Sequence, residues 1–192
     1  MPVNTEKEFK CLINADQAGA ITTAYAFNAP YTQTNTYFDT AKRALAASRC
    51  ALRIRQFADH GEQTIKVLAN AVPRKILEYT DPLTTMQASE LADAGKILAP
   101  GTVASQLHVL GIDLDAVKPF ARATTTRSEY PFAAGLLVVD HTQYPDGYCD
   151  WELEMEYSDF EPANAFFTNL EEQFHIQPSK VTSKIVRATA HS

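Results

Sequence analysis

The sequence predicts an α+β fold, mainly β, built on an antiparallel sheet that curls or closes, with helices packed outside it. Two observations carry this. About eight runs read as strands, most of them joined by short turns, and helical periodicity enters at only a few points. Within the strand runs, apolar and ionisable residues alternate with period two, so each strand has one greasy face and one charged face.

The elements follow in order. Residues 4–13 open as a strand, in which Glu6, Glu8 and Lys10 share one face and Lys7, Phe9 and Cys11 the other. Asn14-Ala15-Asp16 caps a helix over 15–28, and 33–39 (Q-T-N-T-Y-F-D) is a strand by its Thr and aromatic content. Cys50 to Phe57 and Gln63 to Leu68 form a hairpin around Asp59-His60-Gly61. Val72 to Thr80 is a further strand. Residues 83–97 and 101–110 are helical, separated by Pro100-Gly101. Strands return over 118–130, 135–144 and 148–157, the last two parted by Pro145-Asp146-Gly147. A helix over 162–174 and a short terminal helix from Pro178-Ser179 close the chain.

The 192 residues contain no repeat, low-complexity run or Gly/Ser linker, so one domain over 1–192 is expected. A net charge of -6 disfavours nucleic acid and anionic membrane surfaces as partners. No basic segment followed by an apolar run opens the chain, and no stretch suits a membrane span. The three cysteines, Cys11, Cys50 and Cys149, are too scattered for a zinc site or a disulfide framework and read as buried thiols of a cytoplasmic protein.

The charged faces are the informative feature. Glu152, Glu154 and Glu156 line one face of the last strand, opposite Trp151, Leu153, Met155 and Tyr157. Like charges ~7 Å apart along a strand repel. Arg53 and Arg55 oppose Leu52 and Ile54, and Lys66 opposes Ile65 and Val67. Clustered carboxylates suit a hard divalent cation, and guanidinium and ammonium groups suit phosphate. A sheet closed with these faces inward is a polar tunnel for a polyphosphate and its metal, since unpaired buried charge is costly. Lys180, Lys184 and Arg187 fall on one stripe of the terminal helix. Arg127 is favoured over Arg122 as an inward cation, and Asp140, ending an apolar run, needs a partner or a metal.

These residues resemble a known family. E-K-E-F-K at 6–10 is similar to the E-x-E-x-K signature of the CYTH superfamily, the triphosphate tunnel metalloenzymes. Q-T-N-T-Y-F-D-T at 33–40, L-R-I-R at 52–55, T-I-K at 64–66, I-L-E at 76–78, T-T-R at 125–127, V-V-D at 138–140, E-L-E-M-E at 152–156 and S-K-V-T-S-K at 179–184 resemble its other segments in order. The resemblance implies a single CYTH domain over 1–192, folded as a closed eight-stranded antiparallel β-barrel with helices outside. It implies metal-dependent hydrolysis of a triphosphate, inorganic tripolyphosphate first, with Mg²⁺ or Mn²⁺ as cofactor. Thiamine triphosphatase and class IV-type adenylyl cyclase activity are the enzymatic alternatives, and a non-catalytic polyphosphate or nucleotide sensor is the other.

Carried over to this chain, the resemblance gives Glu6 and Glu8 as metal ligands, with two of Glu152, Glu154 and Glu156. Glu6, Glu8, Glu78 and Asp140 form the catalytic set, the last two assisting metal or water positioning. Lys10, Arg53, Arg55, Lys66 and Arg127, with Lys180 or Lys184, bind phosphate. Many relatives carry an acid two residues before the one at Glu78, where this chain has Ile76. The implied partner is a small-molecule triphosphate, with neither nucleic acid nor membrane, in a monomer or homodimer.

Overall fold

The computed structural model describes residues 4–5, 7–71, 74–133, 135–177 and 181–192. In chain order the elements are β1 (Asn4–Thr5), β2 (Glu8–Ile13), α1 (Ala15–Ala24), β3 (Tyr31–Thr40), α2 (Ala44–Ala47), β4 (Cys50–Gln56), β5 (Gly61–Ala71) and β6 (Arg74–Leu83). There follow α3 (Thr85–Ala94), α4 (Thr102–Val109), a 3-10 turn at Leu114–Ala116, β7 (Val117–Phe132), β8 (Gly135–Gln143), β9 (Cys149–Tyr157), α5 (Phe160–Gln173) and α6 (Lys184–Ala190). The fold is α+β and mainly β, as expected. The strand expected over 4–13 is described in two pieces, and Glu6, Val72, Pro73 and Lys180 lie outside the described residues. Among the described residues no helix is long and apolar enough to cross a membrane.

The chain forms two compact units. The first comprises Gln33–Ala123 and Lys184–Ser192 with the described part of Met1–Glu6; the second comprises Lys7–Thr32 and Thr124–Ser183. In the first unit the strands lie in the order β1-β6-β5-β4-β3. Its core takes the apolar face of the hairpin (Leu52, Ile54, Ile65) and packs it against Val103 and Leu107 of α4 and Leu45 of α2. In the second unit the order is β7-β8-β9-β2. Here Leu153 and Met155 of β9 and Cys11 of β2 pack with Ile21 of α1 and Phe167 and Leu170 of α5. The period-two reading therefore assigns the apolar faces correctly, and helices cover them.

Several boundaries differ from expectation. Helix α1 stops at Ala24, four residues short of the expected end. Thr22 and Thr23 turn their hydroxyls back to the Ala18 and Gly19 carbonyls, and Tyr25 then goes extended. Tyr25 and Phe27 leave the helix to pack on Tyr130, with ring centroids 5.4 and 5.9 Å away. The short α2 was not expected from sequence. It exists because the buried Asp39 carboxylate accepts the Leu45 and Ala46 N–H groups, at 2.9 and 3.2 Å. Helix α5 begins at Phe160 and keeps Pro162 in its first turn, where no intrahelical N–H is needed. Helix α6 begins only at Lys184. Cys11 and Cys50 are buried, but Cys149 is exposed, which corrects the reading of three buried thiols. It sits at the first position of β9, where the strand leaves its turn.

Asp81 shows the same use of a buried acid. It accepts the Thr102 and Val103 N–H groups at 2.7 and 2.9 Å and the Gln63 amide at 3.1 Å. It thereby serves as the cap of α4 from a distant strand, while the residue in the cap position is Gly101, where a Cβ would lie 2.6 Å from Asp81 Oδ2. Burial works to raise the Asp81 pKa, but these donors hold it below the ordinary carboxylate value. A depressed folded-state pKa contributes stability above the unfolded value near ~4 and loses it as pH falls. Asp81→Asn should therefore cost about 2 kcal/mol at pH 7. Urea denaturation should show that deficit shrinking as the pH approaches 3; a pH-independent deficit would contradict the ionised cap.

Candidate active site

Register brings the acids of the second unit together. Asp140 on β8 lies opposite Arg127 on β7 and opposite Glu152 on β9, while Lys10 on β2 lies opposite Glu154. Asp140, Glu152 and Glu154 each offer a carboxylate oxygen, all within 4.8 Å of one another. Their relative exposures are 0%, 1% and 7%, so this face is enclosed and is not a solvated sheet surface. The floor of the same face is polar: Thr125 and Thr142, both fully buried, share a hydroxyl contact of 3.0 Å.

Arg127 spans the cluster. Its Nε and Nη2 donate to the two Asp140 oxygens at 2.8 and 2.7 Å, and Nη2 also donates to Glu154 Oε2 at 2.9 Å. Burial acts to lower its pKa, but Asp140 and Glu154 outweigh burial and raise it. Lys10 is similar: burial would lower its pKa, and Glu154 and Glu8 drive it up instead. Its Nζ sits 2.5 Å from Glu8 and 3.6 Å from Glu154. Glu8, Asp140, Glu152 and Glu154 face Lys10 and Arg127, a formal excess of two negative charges. That excess and an all-oxygen donor set fit a hard divalent cation.

Of the three acids on β9, Glu152 and Glu154 join this cluster and Glu156 does not. Glu156 pairs in register with Glu8 and Leu136, near the end of the strand, and is half-buried. The opposite face of the same strands carries a pocket of about 410 Å³ lined by Phe27, Asn28, Ser128, Val139, His141 and Trp151, among others. None of its lining residues is an Asp, Glu, Lys or Arg, so the charged chemistry sits on one face alone. His141 stacks on Trp151 at 4.1 Å, away from the acids.

The first unit holds Arg53, Arg55, Lys66 and Lys184. Arg53 and Arg55 alternate with the buried Leu52 and Ile54 on β4. Arg55 is held at Nε by Asn35 Oδ1 at 3.2 Å and by Glu62 at 3.4 Å. Arg53 differs: its Nε is buried with no hydrogen-bond partner among the described residues. Lys66 pairs with Glu78 at 2.6 Å, directly across the β5–β6 ladder. Burial would raise the Glu78 pKa, but Lys66, Arg53 and Arg55 pull it down. Lys184 stands at the start of α6, and Arg187, three residues on, is buried. Asn35 and Glu62 are site neighbours that sequence reasoning did not single out. The signal for Asn35 was its parity in Q-T-N-T-Y, a polar residue on a buried strand.

Known proteins resemble this chain along most of its length. The CYTH domain family profile matches residues 4–189. "Putative triphosphatase YjbK" of Bacillus subtilis (strain 168) is 37% identical over 156 residues, covering 81% of this chain and 77% of that protein. Among solved structures, a "putative adenylate cyclase (bh2851)" from Bacillus halodurans superposes with a TM-score of 0.87 at 27% identity, covering 97% of this chain and 98% of the other. HpAC1 from Hippeastrum, titled a "putative adenylyl cyclase" that "reveals a dominant triphophatase activity", shares the fold with a TM-score of 0.81 at 20% identity, covering 96% and 95%. With the family profile matching residues 4–189 and a relative 37% identical over 81% of the chain, the chain belongs to the CYTH domain family.

Proposed function

We propose that this chain is a divalent-metal-dependent triphosphatase and that inorganic tripolyphosphate is its substrate. The observation that carries the reading is the enclosed Asp140–Glu152–Glu154 cluster with its excess of negative charge. The 37% identity to a protein named a triphosphatase supports it. Asp140, Glu152 and Glu154, with Glu8 and Glu6, would hold the cation, Mg²⁺ or Mn²⁺. When bound, the cation supplies positive charge against the phosphate oxygens.

The chain's own residues then do the positioning. Arg127 and Lys10 hold the carboxylates in alignment. Arg53, Arg55, Lys66 and one of Lys180 and Lys184 take phosphate oxygens and offset the charge that builds on the leaving pyrophosphate. A carboxylate of the cluster orients the attacking water. Phosphoryl transfer of this kind needs little covalent help from protein groups, which suits a site built of charge alone. Glu78, paired with Lys66, positions that lysine. The closed eight-stranded tunnel belongs to the proposal as well. A single CYTH domain, a small-molecule substrate and a cytoplasmic setting, where free thiols stay reduced, complete it.

Phosphate release from tripolyphosphate, thiamine triphosphate and ATP, each with Mg²⁺, Mn²⁺ or EDTA, tests the reading. Turnover that ignores EDTA, or binding without turnover, would end it; cyclic nucleotide formed from ATP would replace it with the cyclase reading. Arg53→Ala should weaken triphosphate binding roughly tenfold by calorimetry, the worth of one charge-assisted contact. Unchanged affinity would remove Arg53 from the phosphate set.

A further inference from the structure

The strands that carry the acidic cluster have a second face, and the helices do not cover all of it. Helix α1 ends at Ala24, and residues 25–30 follow it without regular structure. Between this segment and the sheet lies the pocket of about 410 Å³, wholly within the second unit. Its sheet wall follows the period of two. Thr126 and Ser128 flank Arg127 on β7, Val139 and His141 flank Asp140 on β8, and Trp151 precedes Glu152 on β9. Every strand residue lining the pocket is thus next in sequence to a member of the charged cluster and points to the opposite face.

The walls are held in place. The Asn28 N–H donates to the Glu129 carbonyl at 2.8 Å, which pins the outer segment to β7, and the Phe27 ring rests 5.9 Å from that of Tyr130. His141 lies flat on Trp151, with 16° between the ring planes, and both are half-buried. A preformed pocket of this volume falls within the range of about 300–1,000 Å³ in which proteins hold small molecules. The lining selects the occupant. Phe27, His141 and Trp151 offer aromatic surface to a flat ring. The Thr126 and Ser128 hydroxyls and the Asn28 carboxamide supply donors and acceptors for a polar edge. With no Asp, Glu, Lys or Arg in the lining, a charged group entering it would give up hydration and gain no counter-charge.

We propose that this pocket is a binding site for a small, flat, uncharged aromatic molecule with a hydrogen-bonding edge such as a carboxamide. The occupant is not a substrate: it lies on the far side of the sheet from the acidic cluster and does not compete with a triphosphate. The site stands on its own lining and does not depend on the triphosphatase reading.

Trp151 is the single tryptophan of the chain, so the isotopically labelled full chain gives one indole N–H signal in a nitrogen–proton NMR spectrum, and that signal reports on the pocket directly. Titration with nicotinamide should move it saturably, with a Kd on the order of 1 mM, as suits a ligand of few atoms. Nicotinate, the same ring with a carboxylate in place of the carboxamide, should bind at least about tenfold more weakly. Thr126→Phe fills the pocket from an exposed position and should abolish the shift. His141→Ala should weaken binding about tenfold, and His141→Phe should restore it by keeping the stack. An indole signal that nicotinamide does not move overturns the site, as does a response unaltered by both Thr126→Phe and His141→Ala. Equal binding of nicotinate overturns the uncharged occupant. A shift that saturating tripolyphosphate with Mg²⁺ removes overturns the placement behind the cluster. Failure of the triphosphatase reading looks different: tripolyphosphate is then neither bound nor hydrolysed, while the nicotinamide titration is unchanged.

Discussion

Glu154→Gln is expected to lower metal-dependent triphosphate hydrolysis by roughly 10²–10³-fold, the scale of losing one preorganised charge at a phosphoryl-transfer site. Glu154 stands in the carboxylate cluster and touches both of its cations, Arg127 at 2.9 Å and Lys10 at 3.6 Å. The substitution keeps the shape and removes the charge. Arg127 retains its two bonds to Asp140, and Lys10 retains Glu8, so neither cation is stranded. The unfolding midpoint should therefore move far less than the rate. Phosphate release against Mn²⁺ concentration, together with calorimetric Mn²⁺ titration, reads both consequences. Wild-type turnover and wild-type Mn²⁺ affinity in this variant would remove Glu154, and with it the cluster, from the metal site.

Asp140→Ala should do something different, because Asp140 is wholly buried and is the main partner of Arg127. Taking away Asp140 removes two of the three bonds that hold the buried guanidinium and leaves it Glu154 alone, at a cost of about 3–5 kcal/mol. For a chain of this length that corresponds to a fall in Tm of roughly 6–20 °C. The paired change Arg127→Met with Asp140→Leu removes both charges and should recover most of the lost stability. Activity should stay absent in both variants. Thermal denaturation followed by circular dichroism distinguishes the cases: if the double variant is no more stable than Asp140→Ala, the cost does not come from the guanidinium that lost its main partner. The two substitutions thus separate the loss of one charge at Glu154 from the loss of the main Arg127 partner at Asp140.

Much of the site was legible from residue order alone. Parity along β9 sorts Glu152 and Glu154 from Leu153 and Met155, and parity along β4 sorts Arg53 and Arg55 from Leu52 and Ile54. Side-chain direction in a strand is a local property, so these assignments survive any arrangement of neighbours. The need of Asp140 for a partner was legible for a similar reason: an acid ending an apolar run has no water to rely on. The helix boundaries were less so. The turn that ends α1 depends on Tyr25 and Phe27 finding Tyr130, more than a hundred residues away, and α2 depends on Asp39.

What sequence by itself determined is therefore the family, the mainly β architecture and the two signs of charge on the strands. Only the tertiary structure decided which charges meet: that Arg127 takes Asp140 and Glu154, that Lys66 takes Glu78 and that Glu156 falls outside the cluster. The physical reason is that facing follows from a two-residue period within one strand. Partnership follows from register between strands, which is set by the packing of whole elements and leaves no trace in any single segment.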